Sequence, residues 1–151
     1  MFSKVARPSH RPPRKREKLM TALQWLAATA LLTALLPLPY VLGRIGAIGL
    51  KGAMANPTPE LAAAEPDWAR RGKAAHYNAV ENLVVFATLV LVAQAMGVAA
   101  HPIVVFAAAL YFFARLAHYV IYALGIPGLR TLTWTAGFVA TLMVAWAIFV
   151  G

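Results

Sequence analysis

The chain has 151 residues, 61% of them hydrophobic and only 13% charged, and it contains no cysteine. An ordinary soluble domain carries about twice that charged fraction, so composition excludes a typical water-soluble globule and points to one domain solvated by lipid. Without cysteine there is no disulfide framework, no thiolate metal site and no cysteine nucleophile, and any thiol chemistry must arrive with a substrate.

The net charge of +9 is not a nucleic-acid footprint. Seven of the 14 Lys and Arg residues precede Met20, and the others are Arg44, Lys51, Arg70, Arg71, Lys73, Arg115 and Arg130, mostly at the ends of apolar runs. Bilayer interfaces select basic residues there. Nucleic-acid binding would want aromatics interleaved with an exposed basic surface, and the pattern holds none.

Residues 1–19 are basic and proline-rich and cannot bury a core, so they read as a disordered tail. Such a tail is either simply solvated or in contact with anionic lipid head groups. A further reading starts translation at Met20. From residue 20 onward the chain reads as one four-span membrane domain. The first apolar span is expected over 21–42, with a kink at Pro37 and Pro39. It is too long for a signal peptide. Residues 43–69 are expected to form the one long loop, broken by Asn56-Pro57-Thr58-Pro59 and closed by Trp68 at the membrane interface.

The second span is expected over 71–96, ending at Gly97, and the third over 102–124, opening at Pro102. The short connection makes these two an antiparallel hairpin. Gly125-Ile126-Pro127-Gly128 breaks the third span, and the fourth is expected over 131–150. Each run is of the length that crosses a bilayer. The fold class is therefore all-α, an integral membrane four-helix bundle.

The chain is organised around residues 70–86. Arg71, Asn78 and Glu81 follow one another at spacings of seven and three, which places them on one stripe of an otherwise apolar helix. The third span carries a second stripe, Tyr111, Arg115, His118 and Tyr122, at spacings of four, three and four. Glu81 lies 16 residues before Gly97 and Arg115 lies 14 after His101. At the helical rise per residue, their depths differ by only about 3 Å. The two stripes can face each other, and a Glu81–Arg115 pair, direct or through neighbours, would neutralise both charges. Such a pair is either a structural clamp or part of a site, and ionisable residues inside a membrane favour the second. Arg71, Lys73 and Arg130 lie toward the same membrane face. The expected site is a cation-rich pocket, open at one interface, for a polar anionic ligand whose co-reactant comes from the lipid.

The spacing His76-x-Asn78-x-x-Glu81-Asn82, preceded by Arg70 and Arg71, resembles the MAPEG family, the membrane-associated proteins in eicosanoid and glutathione metabolism. The block Arg115-x-x-His118-x-x-x-Tyr122, followed by Pro127 and Arg130, resembles the family's third helix and the loop after it. The resemblance covers residues 20–151, and residues 56–92 look most like the bacterial branch. It implies a homotrimer in a bacterial inner membrane, with glutathione as co-substrate between neighbouring subunits, a lipophilic small molecule as second reactant, and no metal. Carried over by position, Asn78 and Glu81 hold the peptide, Arg115 and Tyr122 line the site beside His118, and Arg130 stabilises the thiolate. One position departs: members commonly carry arginine two residues before His76, and here Ala74 stands there. Arg71, one turn earlier, or Lys73 would have to substitute. His76 itself, about 140° around the helix from Glu81, reads as a helix contact, and His101 as a solvated loop residue.

Three functions remain open on the sequence. The first is a glutathione-dependent transferase or peroxidase acting on lipophilic electrophiles. The second is a non-catalytic lipid-binding or scaffold protein of the same fold, which Ala74 favours. The third is a small proton-coupled transporter using Glu81, against which a nearby Arg115 argues. Membrane orientation is balanced: the basic tail favours a cytoplasmic N-terminus, and a start at Met20 reverses the preference.

Overall fold

The computed structural model describes residues 20–150, so the expectations for residues 1–19 lie outside the described residues. Helix α1 (Ala22–Leu35) opens with a reciprocal cap. Thr21 Oγ1 accepts from the Gln24 amide at 3.2 Å, and Gln24 Oε1 accepts from the Thr21 amide at 2.9 Å. This arrangement satisfies two helix-terminal donors at once. Helix α2 (Pro37–Met54) continues after a break at Leu36. Pro37 and Pro39 have no N–H, so the carbonyls four residues before them lose their helical donors. At the break, the Tyr119 hydroxyl donates to the Leu36 carbonyl at 2.9 Å.

A short helix α3 (Pro59–Ala63), capped by Thr58, leads to α4 (Asp67–Ala95). Helix α5 (Pro102–Leu124) is capped at its start by His101, whose Nδ1 accepts from the Ile103 amide at 3.3 Å, and it ends at Gly125 in the left-handed conformation (φ 77°). Helix α6 (Pro127–Val150) completes the bundle.

Four helical stretches are long and apolar enough to cross a membrane: Ala22–Met54, Asp67–Ala95, Pro102–Leu124 and Pro127–Val150. Their order, α4 and α5 as an antiparallel hairpin and α6 packed along α5, is the expected four-span bundle. The core is built where α4, α5 and α6 meet, from Phe86, Val90, Val104, Tyr111, Ala140 and Val144. Alanines at Ala93, Ala107 and Ala108 let the backbones approach closely. Thr29 and Thr33, buried on α1, return their hydroxyls to the carbonyls of Trp25 and Thr29 at 2.8 and 2.9 Å. No buried hydroxyl there needs a water that the bilayer lacks.

The boundaries differ from the sequence expectation in three places. Residues 43–54 are helical, with Gly49 alone outside helical geometry (φ 72°), and α3 occupies part of the supposed loop. Helix α2 persists because it packs on α4. Arg44 forms an ion pair with Glu65, and Gly43 lies against the Trp68 ring, where an added Cβ would stand 2.5 Å from a ring carbon. The second span opens at Asp67, directly after Pro66, and the fourth opens at Pro127. In both cases proline sits where a helix start tolerates its missing donor.

Candidate functional site

The two polar stripes meet as the hairpin arithmetic requires. Arg115, on α5 and 2% exposed, donates from Nη1 to Asn78 Oδ1 on α4 at 3.2 Å. Its guanidinium also lies over the Tyr111 ring, 4.9 Å from the centroid, and that ring is stacked on Phe86. Arg115 Nε and Nη2, the Tyr111 hydroxyl and His118 Nε2 are buried and have no hydrogen-bond partner among the described residues. Unpaired buried polar atoms are costly and seldom kept without a reason.

One turn further on, His118 Nδ1 lies 3.1 Å from the Arg130 carbonyl and 3.3 Å from Thr133 Oγ1 on α6. A carbonyl only accepts, so Nδ1 carries the proton and the neutral ring offers Nε2 as an acceptor. Tyr122 meets His118 edge to face (5.6 Å, 86°), and the Arg130 guanidinium lies over the Tyr122 ring at 4.6 Å. Together Asn78, His118, Tyr122, Arg130, Thr131 and Trp134 line a cleft of about 200 Å³.

A second cleft, of about 420 Å³, shares Tyr122 as a wall and is otherwise lined by Asp67, Arg70, Arg71 and Ala74. Arg70 is paired with Asp67. Arg71 is anchored by Nε donating to the Ala123 carbonyl at 2.9 Å, which fastens the start of α4 to the end of α5.

The structure thus brings together Asn78, Arg115, His118, Tyr122 and Arg130, with Arg71 in the adjoining cleft. It does not bring in Lys73, whose amino group lies over the Tyr77 ring at 5.8 Å and which lines neither cleft. Glu81 is the correction that matters most. The direct form of the expected Glu81–Arg115 pair is not made within the chain: the two ion pairs among the described residues are Arg44–Glu65 and Arg70–Asp67. Glu81 is exposed on the outer surface of the chain. Three residues advance a helix by about 300°, so Glu81 stands about 60° away from Asn78, enough to turn it out of the interior.

His76 bonds to the Tyr40 hydroxyl at 3.2 Å, a contact between α4 and α2. His101 is exposed in the short connection, as expected, and also caps α5. The sequence reading missed Thr131, Thr133 and Trp134, although Arg130, Thr133, Gly137 and Thr141 recur at spacings of three, four and four and mark one face of α6.

The two clefts present Arg71 and Arg130 against a single lining carboxylate, Asp67, which Arg70 already neutralises, and Arg115 lies buried behind Asn78, lining neither. The site therefore suits an anion. Four helices long and apolar enough to cross a membrane define an integral, multi-pass membrane protein. The family follows from the whole chain: a model of the MAPEG family matches residues 22–150, and the protein belongs to that family. Its members work in eicosanoid and glutathione metabolism at membranes. No curated protein and no solved structure matches the chain.

Proposed function

We propose that this protein is a membrane-embedded glutathione-dependent transferase or peroxidase that acts on lipophilic electrophiles. The observation that carries the reading is the pair of arginines on adjoining clefts, Arg130 and Arg71, neither of them in an ion pair among the described residues. Cations set into an apolar bundle favour an anionic ligand. Glutathione supplies two carboxylates for these arginines and a peptide for Asn78, which the buried Arg115 holds in place from behind.

Arg130 lies across the same cleft. A cation beside a thiol favours the thiolate, which is the attacking species. The thiol proton leaves to solvent, the sulfur forms a bond to the electrophilic carbon, and the leaving group departs with the electron pair of the broken bond. Tyr122 and His118 wall the site, and the electrophile reaches it from the bilayer. Glu81 and Lys73 point away from the clefts of their own chain, so their roles fall to a neighbouring copy in a homotrimer, with glutathione between subunits. The compartment proposed is a bacterial inner membrane.

The test is conjugation of glutathione to a chlorodinitrobenzene by the purified protein in detergent. The reading expects turnover, and it expects Arg130→Ala to lose about 10²–10³-fold in kcat while still folding. Turnover unchanged in that variant would remove Arg130 from its role. A second reading, lipid binding without turnover, is favoured by one observation: Ala74 lines the cleft where relatives are expected to hold arginine. Fatty-acid binding with no dependence on glutathione, and no conjugation, would select it.

A further inference from the structure

Gly137 lies on α6 opposite Arg115, and it is buried. A Cβ added at Gly137 would stand 2.5 Å from Arg115 Nη2 and 2.9 Å from both its Cζ and Nε. Real Cβ atoms do not make such contacts. All three atoms belong to the one planar group, so the guanidinium lies broadside against the space a side chain at 137 would fill. Gly137 is therefore not a generic small residue for helix packing, since the group it makes room for is the guanidinium bonded to Asn78 of the candidate site.

The guanidinium has packed neighbours on its other faces. It is 2% exposed, it lies 4.9 Å from the centre of the Tyr111 ring, and that ring is stacked on Phe86 at 3.7 Å and 5°. From this position its Nη1 reaches Asn78 Oδ1 at 3.2 Å. The atoms that a Cβ would meet are the far end of a side chain and not backbone, so strain at 137 is relieved by moving the guanidinium. A methyl group there displaces the charge and breaks the bond to Asn78, while the helices keep their places.

We propose that Gly137 is a positioning residue: the absence of a side chain at 137 holds the Arg115 guanidinium against Asn78, and so fixes the Asn78 side chain that lines the cleft. This rests on the reading of the cleft as a glutathione site, but the positioning itself is measurable without ligand. Arginine Nε resonances of detergent-solubilised protein labelled with nitrogen-15 report it, with Arg115 assigned by its loss in Arg115→Lys.

Gly137→Ala is expected to shift that resonance in the ligand-free protein while circular dichroism stays that of the wild type. The same variant is expected to raise KM for glutathione about tenfold or more, the size of a lost charge-assisted hydrogen bond, with kcat changed less than KM. Gly46→Ala, at a position with nothing within 4 Å, is the control and leaves all three readouts unchanged. An unmoved Arg115 resonance in Gly137→Ala overturns the proposal whatever the activity. A shifted resonance in a protein that never binds glutathione upholds the positioning and removes the reading of the site. If Gly137→Ala does not fold, recovery of folding in Gly137→Ala/Arg115→Ala, which removes all three clashing atoms, supports the proposal. Failure of that double variant as well overturns it.

Discussion

Arg115 and Glu81 are the two charges that an apolar bundle has most reason to avoid, and the fold treats them oppositely. Arg115 is drawn inside and bonded to Asn78, with its Nε and Nη2 left without a partner among the described residues. Glu81 is turned outside. Truncating the acceptor tests the arrangement: Asn78→Ala leaves the buried guanidinium without its one bond, so glutathione affinity should fall about tenfold or more and the Tm should drop by a few degrees. Binding and melting measurements on that variant check both halves. The meeting of Asn78 with Arg115 and His118 was legible in the sequence, because stripe spacing and the short hairpin fixed both face and depth. The outward turn of Glu81 was less so. A stripe wide enough to hold residues at spacings of seven and three spans some 60°, and only packing decides where along that arc the interior ends.

The elements follow the same division between local and tertiary information. The spans read directly, because each apolar run must satisfy its own backbone in lipid and only helix does so. Residues 43–54 did not read as helix, since glycine recurs at Gly43, Gly46, Gly49 and Gly52 and weakens any local preference. What keeps them helical is tertiary: the Arg44–Glu65 ion pair and the seat of Gly43 on Trp68. The break between α1 and α2 is held in the same way, by the Tyr119 hydroxyl on the Leu36 carbonyl. Tyr119→Phe removes that one bond at nearly constant shape. It should cost about 1 kcal/mol of stability, seen as a slightly lower Tm, with glutathione binding unchanged because Tyr119 lines neither cleft. A loss of binding in that variant would show that the break and the site are coupled.

On the scale of the whole molecule, the outer surface is a continuous apolar coat, with Leu31, Leu42, Phe106, Leu132, Leu142 and Phe149 among its exposed residues. Lipid covers such a coat, but it does not cover Glu81. A carboxylate at that depth is placed at lowest cost against the cations of another copy, so native mass spectrometry from detergent should report trimers. A protein that remains monomeric while still binding glutathione would confine the site to one chain. Beneath that assembly, the central claim is that the cationic cleft takes glutathione and ionises it. Ultraviolet absorbance of the thiolate, followed as glutathione is titrated into the purified detergent-solubilised protein at neutral pH, tests it most directly. The account predicts a saturating thiolate signal in stoichiometric amount that Arg130→Ala abolishes. A flat titration, with no thiolate at saturating glutathione, would contradict it.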